Sequence, residues 1–294
     1  MIRIGTRGSA LALVQAKTVG SWLTPLDEHK IVVITTAGDR GEGVADKSRW
    51  TSALEAPLLA SEIDVAVHSA KDVPGELADG TVIAAIPARQ DPRDALCGTA
   101  EFAWLGSGAR IGTSSIRRAA QIRAMRADLE VVEVRGNVDT RLRKLAGGEV
   151  DALVLAYAGL KRLGRESEIG CVLDALIPAP GQGALLVQAR SDDAATLAKL
   201  ATINDPVAEL CVMSERALAS HLNATCATPL GASAVPVSDS DVTLKAWIGL
   251  PDGSHWIQDE LTGDAAGVAA SVAERMIAAG ASELLQQAEE LAAR

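Results

Sequence analysis

The sequence predicts an α/β protein with two similar lobes and a small C-terminal α+β domain. Its 294 residues, 48% of them hydrophobic, suffice for two or three domains that each have a core. Short strand-like runs alternate with helical patterns in two successive rounds, which is typical of α/β layers. From about Ala232 the pattern changes to longer strands followed by helices. We therefore expect residues 1–87 with 184–202, 91–180 and 206–294 to form three domains.

The first round alternates apolar runs with one clear helix start. Ser9 precedes the helical pattern and is a suitable N-cap, since its side-chain oxygen accepts hydrogen bonds from the first free N–H groups. The predicted elements are strand Ile2–Ile4, helix Gly8–Trp22, strand Ile31–Thr35, helix Thr51–Ala60 and strand Val65–Val67.

The second round begins near Asp91 and is followed by a segment rich in Pro and Gly, residues 177–190, which marks a return of the chain. Its predicted elements are strand Ala109–Gly112, helix Ser115–Arg126, strand Leu129–Val134, helix Val138–Ala146 and strand Val150–Ala156. The later elements are helix Ala208–His221, strands Val242–Leu250 and His255–Leu261, and helices Ala266–Ala279 and Ser282–Ala293.

Composition limits the function classes. Aromatic residues make up only 2% of the chain, which argues against a base-stacking surface for single-stranded nucleic acid. No run of about 18 apolar residues and no signal-peptide pattern is found, so we expect a cytoplasmic protein without membrane spans. The four cysteines lack metal-ligand or disulfide spacing.

The segment VAVHSAKDVP, residues 65–74, carries polar groups at the end of a predicted strand. In α/β sheets, ligands bind beyond the carboxyl ends of strands. Pro74 and Gly75 force a turn there, so Asp72 should lie on a constrained loop at the mouth of a sheet. The alternative is that Lys71 and Asp72 are ordinary loop charges and His68 is a core histidine with its hydrogen bonds satisfied.

A basic segment stands out in a chain whose net charge is −10. Residues 110–144 contain nine basic and four acidic residues. Such a local island on an acidic protein suits a compact polyanionic small molecule better than a nucleic-acid duplex. The alternative is a solvated, salt-bridged helix face.

Within this segment, GTSSIRR (residues 112–118) places hydroxyls and backbone N–H groups at a helix start, where anions bind. Arg117 and Arg118 oppose the helix dipole, so local stability does not explain them and a bound anion does. The alternative is a simple capped helix. RGNVDTR (residues 135–141) repeats the pattern, with Asn137 or Asp139 at the helix start.

Two further signals are weaker. Arg3, Arg7 and Ser9 at the first strand-to-helix junction form a second candidate anion site. Cys226 lies between a predicted helix and a Pro/Gly-marked turn, where a thiol is more accessible than in a strand, although a small buried turn residue is the alternative.

Together these motifs resemble the porphobilinogen deaminase family, also called hydroxymethylbilane synthases, over nearly the whole chain. The matching motifs are TRGSALALVQA at 6–16, AVHSAKDVP at 66–74, DPRDAL at 91–96, GTSSIRR at 112–118, RGNVDTRLRKL at 135–145, AGLKRLG at 158–164, PGQGAL at 180–185 and Cys226 in its turn.

The resemblance implies two periplasmic-binding-protein-like α/β domains with a cleft between them and a small C-terminal domain. It implies a transferase of porphyrin and haem biosynthesis that joins four porphobilinogen molecules head to tail and releases ammonia and linear hydroxymethylbilane. A dipyrromethane cofactor is attached by a thioether to the family's cysteine, here Cys226. The family expectation is a monomer that binds porphobilinogen and the growing oligopyrrole, and neither nucleic acid nor membrane.

The resemblance also assigns roles by position. Asp72 is the catalytic carboxylate, which stabilises positive charge near the pyrrole N–H groups. The implied cofactor contacts are Lys71, Thr113, Ser114, Ser115, Arg117, Arg118 and Arg135. The implied substrate contacts are Arg7, Ser9, Gln15, Arg141, Arg162 and Gln182. For each arginine, a surface salt bridge is the alternative.

The chain departs from the family pattern at two places. In the family, a mobile segment before the second helix acts as a lid over the pyrrole rings. Here this lid contains Lys47, Arg49 and Trp50, where Trp50 replaces a usual phenylalanine and Arg49 adds a charge. Ala227 follows Cys226 where Gln or Arg is common. The rival functions are a non-catalytic binder of organic anions and a degenerate family member that does not assemble the cofactor.

Overall fold

The computed structural model describes residues 1–34, 48–225 and 228–292. The chain divides into two compact units. The first contains residues 1–90 and 183–212, and the second contains residues 91–182 and 213–294. The chain therefore leaves the first unit and returns to it, as the Pro/Gly-rich segment indicated. The predicted boundaries of three domains stay predictions.

The strands of the described residues, numbered along the chain, are β1 Ile2–Arg7, β2 His29–Ile34, β3 Val65–Ser69, β4 Thr81–Ala85, β5 Asp94–Cys97, β6 Arg110–Thr113, β7 Glu130–Glu133, β8 Ala152–Ala156, β9 Ile169–Leu173, β10 Leu185–Arg190, β11 Leu230–Pro236, β12 Asp241–Gly249 and β13 Trp256–Asp264. The helices are α1 Ala10–Leu23, α2 Ser48–Leu59, α3 Ile116–Met125, α4 Val138–Ala146, α5 Tyr157–Arg162, α6 Ala194–Leu200, α7 Pro206–His221, α8 Val268–Ala278 and α9 Ala281–Ala292.

The first unit has a five-stranded sheet in the order β2-β1-β3-β10-β4. Strands β1, β2 and β3 are parallel, whereas β10 runs antiparallel to both of its neighbours. Helix α1 packs its buried face, which includes Val19 and Leu23, against Ile4, Val65 and Val187 of the sheet. This packing brings the start of α1 next to the carboxyl ends of β1 and β3.

The second unit has a five-stranded sheet in the order β7-β6-β8-β5-β9. Strand β6 is parallel to β7 and β8, and β5 is antiparallel to β8 and β9. Leu153 and Val154 of β8 belong to different buried clusters, so both faces of the sheet are covered. Each sheet thus has three parallel strands followed by one reversed strand, as two similar lobes require.

The C-terminal segment forms a three-stranded antiparallel sheet in the order β11-β12-β13. Helix α8 packs against β12 and β13, and α9 packs against β12. The structure therefore confirms the predicted α/β class with a small α+β domain. No helix among the described residues has the length and apolar character that a membrane span needs.

Several short elements were not predicted from the sequence. These are strands β4, β5, β9, β10 and β11 and helices α5 and α6. Strand β5 has only four residues and is buried on both faces, so no alternation of polar and apolar residues marks it. The predicted helices were within a few residues of the observed ones, and Val138–Ala146 was correct at both ends.

Candidate functional site

A pocket in the first unit lies where β1 and β3 end and α1 begins. Its polar lining includes five residues that the sequence singled out, Arg7, Ser9, Gln15, His68 and Asp72. Leu11, Leu54 and Val67 contribute apolar side chains. A concave site with a few convergent polar groups on an apolar wall is the usual form of a small-molecule site.

The start of α1 is held by side-chain hydrogen bonds. Ser9 is the N-cap, as predicted, and its Oγ accepts from the Ala12 N–H at 3.3 Å. Thr6 Oγ1 donates to the carbonyl of Ala12 at 3.0 Å. One turn later, the buried Gln15 donates to Ser69 Oγ at 2.8 Å. These bonds fix α1 against the end of β3.

Asp72 is the last residue of a short 3₁₀ turn that follows β3 directly. The Ala70 N–H donates to the carbonyl of Ala184, and the Val73 N–H donates to the carbonyl of Ala70. Lys71 lies in the same turn and is half-buried. The turn therefore holds the Asp72 carboxylate at the pocket by backbone bonds on both of its sides.

His68 is a core histidine whose Nε2 lies 3.0 Å from Gln188 Oε1. Burial lowers its pKa to about 4, although bonding to Gln188 opposes that shift. Gln188 in turn donates to Glu55 Oε1 at 2.9 Å and to Thr81 Oγ1 at 2.7 Å. Gln188 and Glu55 were not predicted from the sequence as functional residues. The one feature that could have indicated Gln188 is its position as a polar residue in an apolar strand.

In the second unit, the start of α3 has the predicted capping pattern. Ser115 Oγ accepts from the Arg118 N–H at 3.4 Å. Thr113 Oγ1 accepts from the Ser115 N–H at 3.2 Å, and Thr113 itself is buried. The hydroxyls of GTSSIRR thus stabilise their own turn, as in the simple capped helix that was the alternative. Ser114 is exposed.

Arg117 and Arg118 pair with a carboxylate of the chain itself, which the sequence did not reveal, and their role in binding an anion stays a prediction. Both are buried and bond to Asp94, which is completely buried. Arg117 Nη2 lies 2.9 Å from Asp94 Oδ2, and Arg118 Nη2 lies 2.8 Å from Asp94 Oδ1. Burial alone would raise the pKa of Asp94, but the charges of Arg117 and Arg118 outweigh burial and hold that pKa well below its usual range.

Asp94, Arg117 and Arg118 form a buried cluster, and Gln182 also belongs to it. Its amide donates to Asp94 Oδ1 at 2.7 Å and to the carbonyl of Pro92 at 2.6 Å. These bonds hold Gln182 beside Asp94 and the two arginines, since Arg118 Nη2 also lies 3.4 Å from Gln182 Oε1. The amide NH₂ group of Gln182 is therefore bonded within the protein. Its predicted contact with the substrate stays a prediction.

The cluster contains more positive than negative charge. Arg117 and Arg118 face one carboxylate, and Arg117 Nε is buried without a hydrogen-bond partner among the described residues. Half-buried Arg141 bonds through Nε to the carbonyl of Gly136 at 2.7 Å. Its pKa is lowered to about 10 by burial and by the charge of Arg118. Buried excess positive charge favours an anionic ligand.

Two other predicted arginines differ in their surroundings. Burial lowers the pKa of half-buried Arg162 to about 10. Arg135 is exposed, and its Nε bonds to Glu133 at 2.7 Å. For Arg135 the observed contact is the surface salt bridge that stood as the alternative.

Three predictions fall outside what the structure describes. Cys226 and Lys47 lie outside the described residues, and so does the side chain of Trp50. The described cysteines, Cys97, Cys171 and Cys211, are not joined in disulfides. Within residues 1–34, 48–225 and 228–292, no cluster of His, Cys, Asp or Glu is suited to a metal ion.

Comparison with known proteins decides the family. A family model described as "Porphobilinogen deaminase, dipyromethane cofactor binding domain" matches residues 2–198. A second, described as "Porphobilinogen deaminase, C-terminal domain", matches residues 209–278. The chain belongs to the porphobilinogen deaminase family. The resemblance inferred from the motifs is thereby confirmed.

Curated relatives support this membership over the full length. The chain is 42% identical to the porphobilinogen deaminase of Deinococcus radiodurans, covering 98% of this chain and 99% of that protein. It is 41% identical to that of Thermus thermophilus, again covering 98% and 99%. Among solved structures, a nutrient binding protein from Burkholderia cenocepacia bound to methionine matches 68% of this chain and 90% of its own, with 13% identity and a TM-score of 0.43.

The second-unit residues fit the cofactor that the family description names. Dipyrromethane carries acetate and propionate groups, so it is an anion that needs several cationic donors. Arg117, Arg118 and Arg141 exceed the buried acidic charge of Asp94, which is the charge balance that such a group requires.

Proposed function

We propose that this protein is a porphobilinogen deaminase, a transferase of porphyrin and haem biosynthesis. It joins four molecules of porphobilinogen head to tail, releases ammonia, and then hydrolyses the chain to linear hydroxymethylbilane. The first-unit pocket carries this proposal, because it places a carboxylate, Asp72, beside the donors Arg7, Ser9 and Gln15 in a chain of this family.

Asp72 stabilises the positive charge that develops when ammonia leaves porphobilinogen. A fixed carboxylate near the pyrrole N–H is more effective than water, since its position costs no reorganisation during the reaction. The carboxylate also accepts and returns protons at the aminomethyl nitrogen. Arg7, Ser9, Gln15 and Lys71 bind the substrate's acetate and propionate groups, which keeps its reactive carbon near Asp72.

The second unit supplies cationic side chains that bind anionic groups. Arg117, Arg118, Arg135, Arg141 and Arg162 bind carboxylates of the cofactor and the growing chain. Thr113, Ser114, Ser115 and Gln182 add hydrogen bonds. Lys47 and Trp50 are the lid residues that the family pattern implies. When bound through Cys226, the dipyrromethane group supplies the pyrrole carbon to which substrate units are added. Asp94 keeps Arg117 and Arg118 in place.

We also propose that the enzyme acts as a cytoplasmic monomer that binds no nucleic acid. The net charge of −10 opposes association with nucleic acid. Cys97 and Cys171 are thiols that form no disulfide in the described residues, which is consistent with a reducing compartment.

The test is turnover of porphobilinogen by the wild type, Asp72→Asn and Asp79→Asn. Asp79 is an exposed aspartate outside the pocket lining, so its variant is a matched control. We expect Asp72→Asn to bind porphobilinogen but lose kcat by about 100-fold or more, while Asp79→Asn keeps the wild-type rate. Near-normal turnover by Asp72→Asn contradicts the role of this carboxylate, and a wild type that binds without releasing ammonia contradicts the function.

A further inference from the structure

His68 lies at the boundary between the buried network of the first unit and the pocket. The residue is 7% exposed and lines the pocket that Asp72 also lines. Its Nε2 bonds to Gln188, which leaves the role of the other ring nitrogen, Nδ1, to be assigned.

The protons of the network can be placed from its donors and acceptors. Thr81 Oγ1 donates its one proton to the carbonyl of Ala78 at 2.7 Å, so it can only accept from Gln188. Glu55 Oε1 accepts from the Ala78 N–H at 3.0 Å and from Gln188 Nε2 at 2.9 Å. Both contacts need the Gln188 NH₂ group, so its Oε1 must face His68.

An amide oxygen only accepts, and therefore His68 Nε2 carries a proton. Burial lowers the pKa of His68 to about 4, so the ring is neutral near pH 7. A neutral ring protonated at Nε2 has a lone pair at Nδ1. No hydrogen bond to Nδ1 is found within the described part of the chain.

We propose that His68 Nδ1 accepts a hydrogen bond from the aminomethyl ammonium group of porphobilinogen. This assignment rests on the proposed function and adds a substrate-binding residue to it. Carboxylates of the substrate are repelled by a lone pair, whereas the ammonium group offers donors and a positive charge. The Glu55–Gln188 chain fixes the tautomer, so the acceptor is oriented before the substrate binds.

Two variants separate this role from a merely structural one. Asn places an amide near the position of Nδ1 but is too short to reach Gln188, whereas Gln reaches Gln188 but has no group at the Nδ1 position. We expect His68→Asn to keep kcat/KM within about 10-fold of wild type and His68→Gln to lose about 10- to 100-fold, the range for a hydrogen bond to a charged group.

The reverse order overturns the proposal and shows that the bond to Gln188 is what matters, and equal losses in the two variants overturn it as well. If His68→Asn does not fold, His68→Gln still decides, because a wild-type rate for that variant overturns the proposal. Production of hydroxymethylbilane by the wild type, measured in the same series, reports the proposed function separately. If the wild type makes no hydroxymethylbilane, the proposed function itself is wrong, whatever the His68 variants do.

The tautomer has its own test in the substrate-free wild type. The chain has four histidines, so imidazole ¹⁵N signals can be assigned to His68 by their loss in His68→Gln. We expect a protonated Nε2 and an unprotonated Nδ1 at pH 7. A proton on Nδ1 overturns the proposal whatever the activities are.

Discussion

Asp94 illustrates how one residue changes the meaning of a motif. The sequence showed Arg117 and Arg118 at a helix start, where their charge is unfavourable. The structure shows that their side chains reach a buried carboxylate on β5. Sequence alone could not reveal this contact, because Asp94 precedes the arginines by more than twenty residues and its strand has no recognisable pattern.

We predict that Asp94→Asn strongly destabilises the protein. The change leaves two guanidinium groups buried without their carboxylate, and breaking a buried ion pair from one side costs about 3–5 kcal/mol of unfolding free energy. Chemical denaturation measures this loss. Asp128→Asn is the control, since Asp128 pairs with Arg126 at the surface, and we expect little change. Equal effects of the two variants contradict the structural role of Asp94.

The pH dependence of stability follows from the same contact. The pKa of Asp94 is lowered in the folded protein, so its contribution is present above the unfolded pKa of about 3.9 and is lost as the pH falls below it. We therefore expect the wild type to lose thermal stability below about pH 4 more steeply than Asp94→Asn. A parallel loss in both proteins contradicts this assignment.

For the pocket residues, sequence was a better guide. Ser9 precedes α1, Gln15 lies within α1, and Asp72 follows β3 by one short turn; the structure brings all three to one pocket. Gln188 and Glu55 were missed because each is a single polar residue in an apolar segment, and only tertiary structure shows that they bond to each other.

At the scale of elements, short buried strands were the least predictable part of the fold. Strand β9 is an example, since Gly170 interrupts its apolar pattern. The glycine has a packing reason that sequence does not show. A Cβ at this position would lie 2.6 Å from the carbonyl carbon of Thr99 and 3.2 Å from Ala100 Cα.

We therefore predict that Gly170→Ala destabilises the second sheet by about 1–3 kcal/mol or more, because backbone atoms must move to make room. Gly106→Ala is the matched control, since nothing lies within 4 Å of a Cβ there. Thermal unfolding of both variants provides the measurement. If Gly170→Ala unfolds at the same temperature as Gly106→Ala, the described approach of β9 to Thr99 is wrong.

At the scale of the whole molecule, the path of the chain determines which pieces can fold. Strand β10 lies between β3 and β4 but follows the entire second sheet in sequence. Val187 and Leu186 of β10 belong to two buried clusters of the first unit. The first unit is therefore incomplete until residues 183–212 are present.

Truncated chains test this dependence. A chain that ends at Gln182 leaves β3 and β4 without their shared neighbour, so we expect no native first sheet. A chain that ends at His221 contains β10 and α7 and should form the native first sheet. Hydrogen exchange of the amides in β1 and β3 distinguishes the two. Equal protection in both chains contradicts the role of β10.

The central claim, a deaminase that carries dipyrromethane on Cys226, is tested most directly by intact mass under denaturing conditions. A thioether-linked cofactor survives unfolding, so we expect the wild type and Cys171→Ser to carry the mass of two linked pyrroles and Cys226→Ser to lack it. Cys171 is a cysteine that forms no disulfide and has no predicted role in holding the cofactor, so its variant serves as the control. A wild type whose mass stays that of the bare chain, even after incubation with porphobilinogen, would contradict the account.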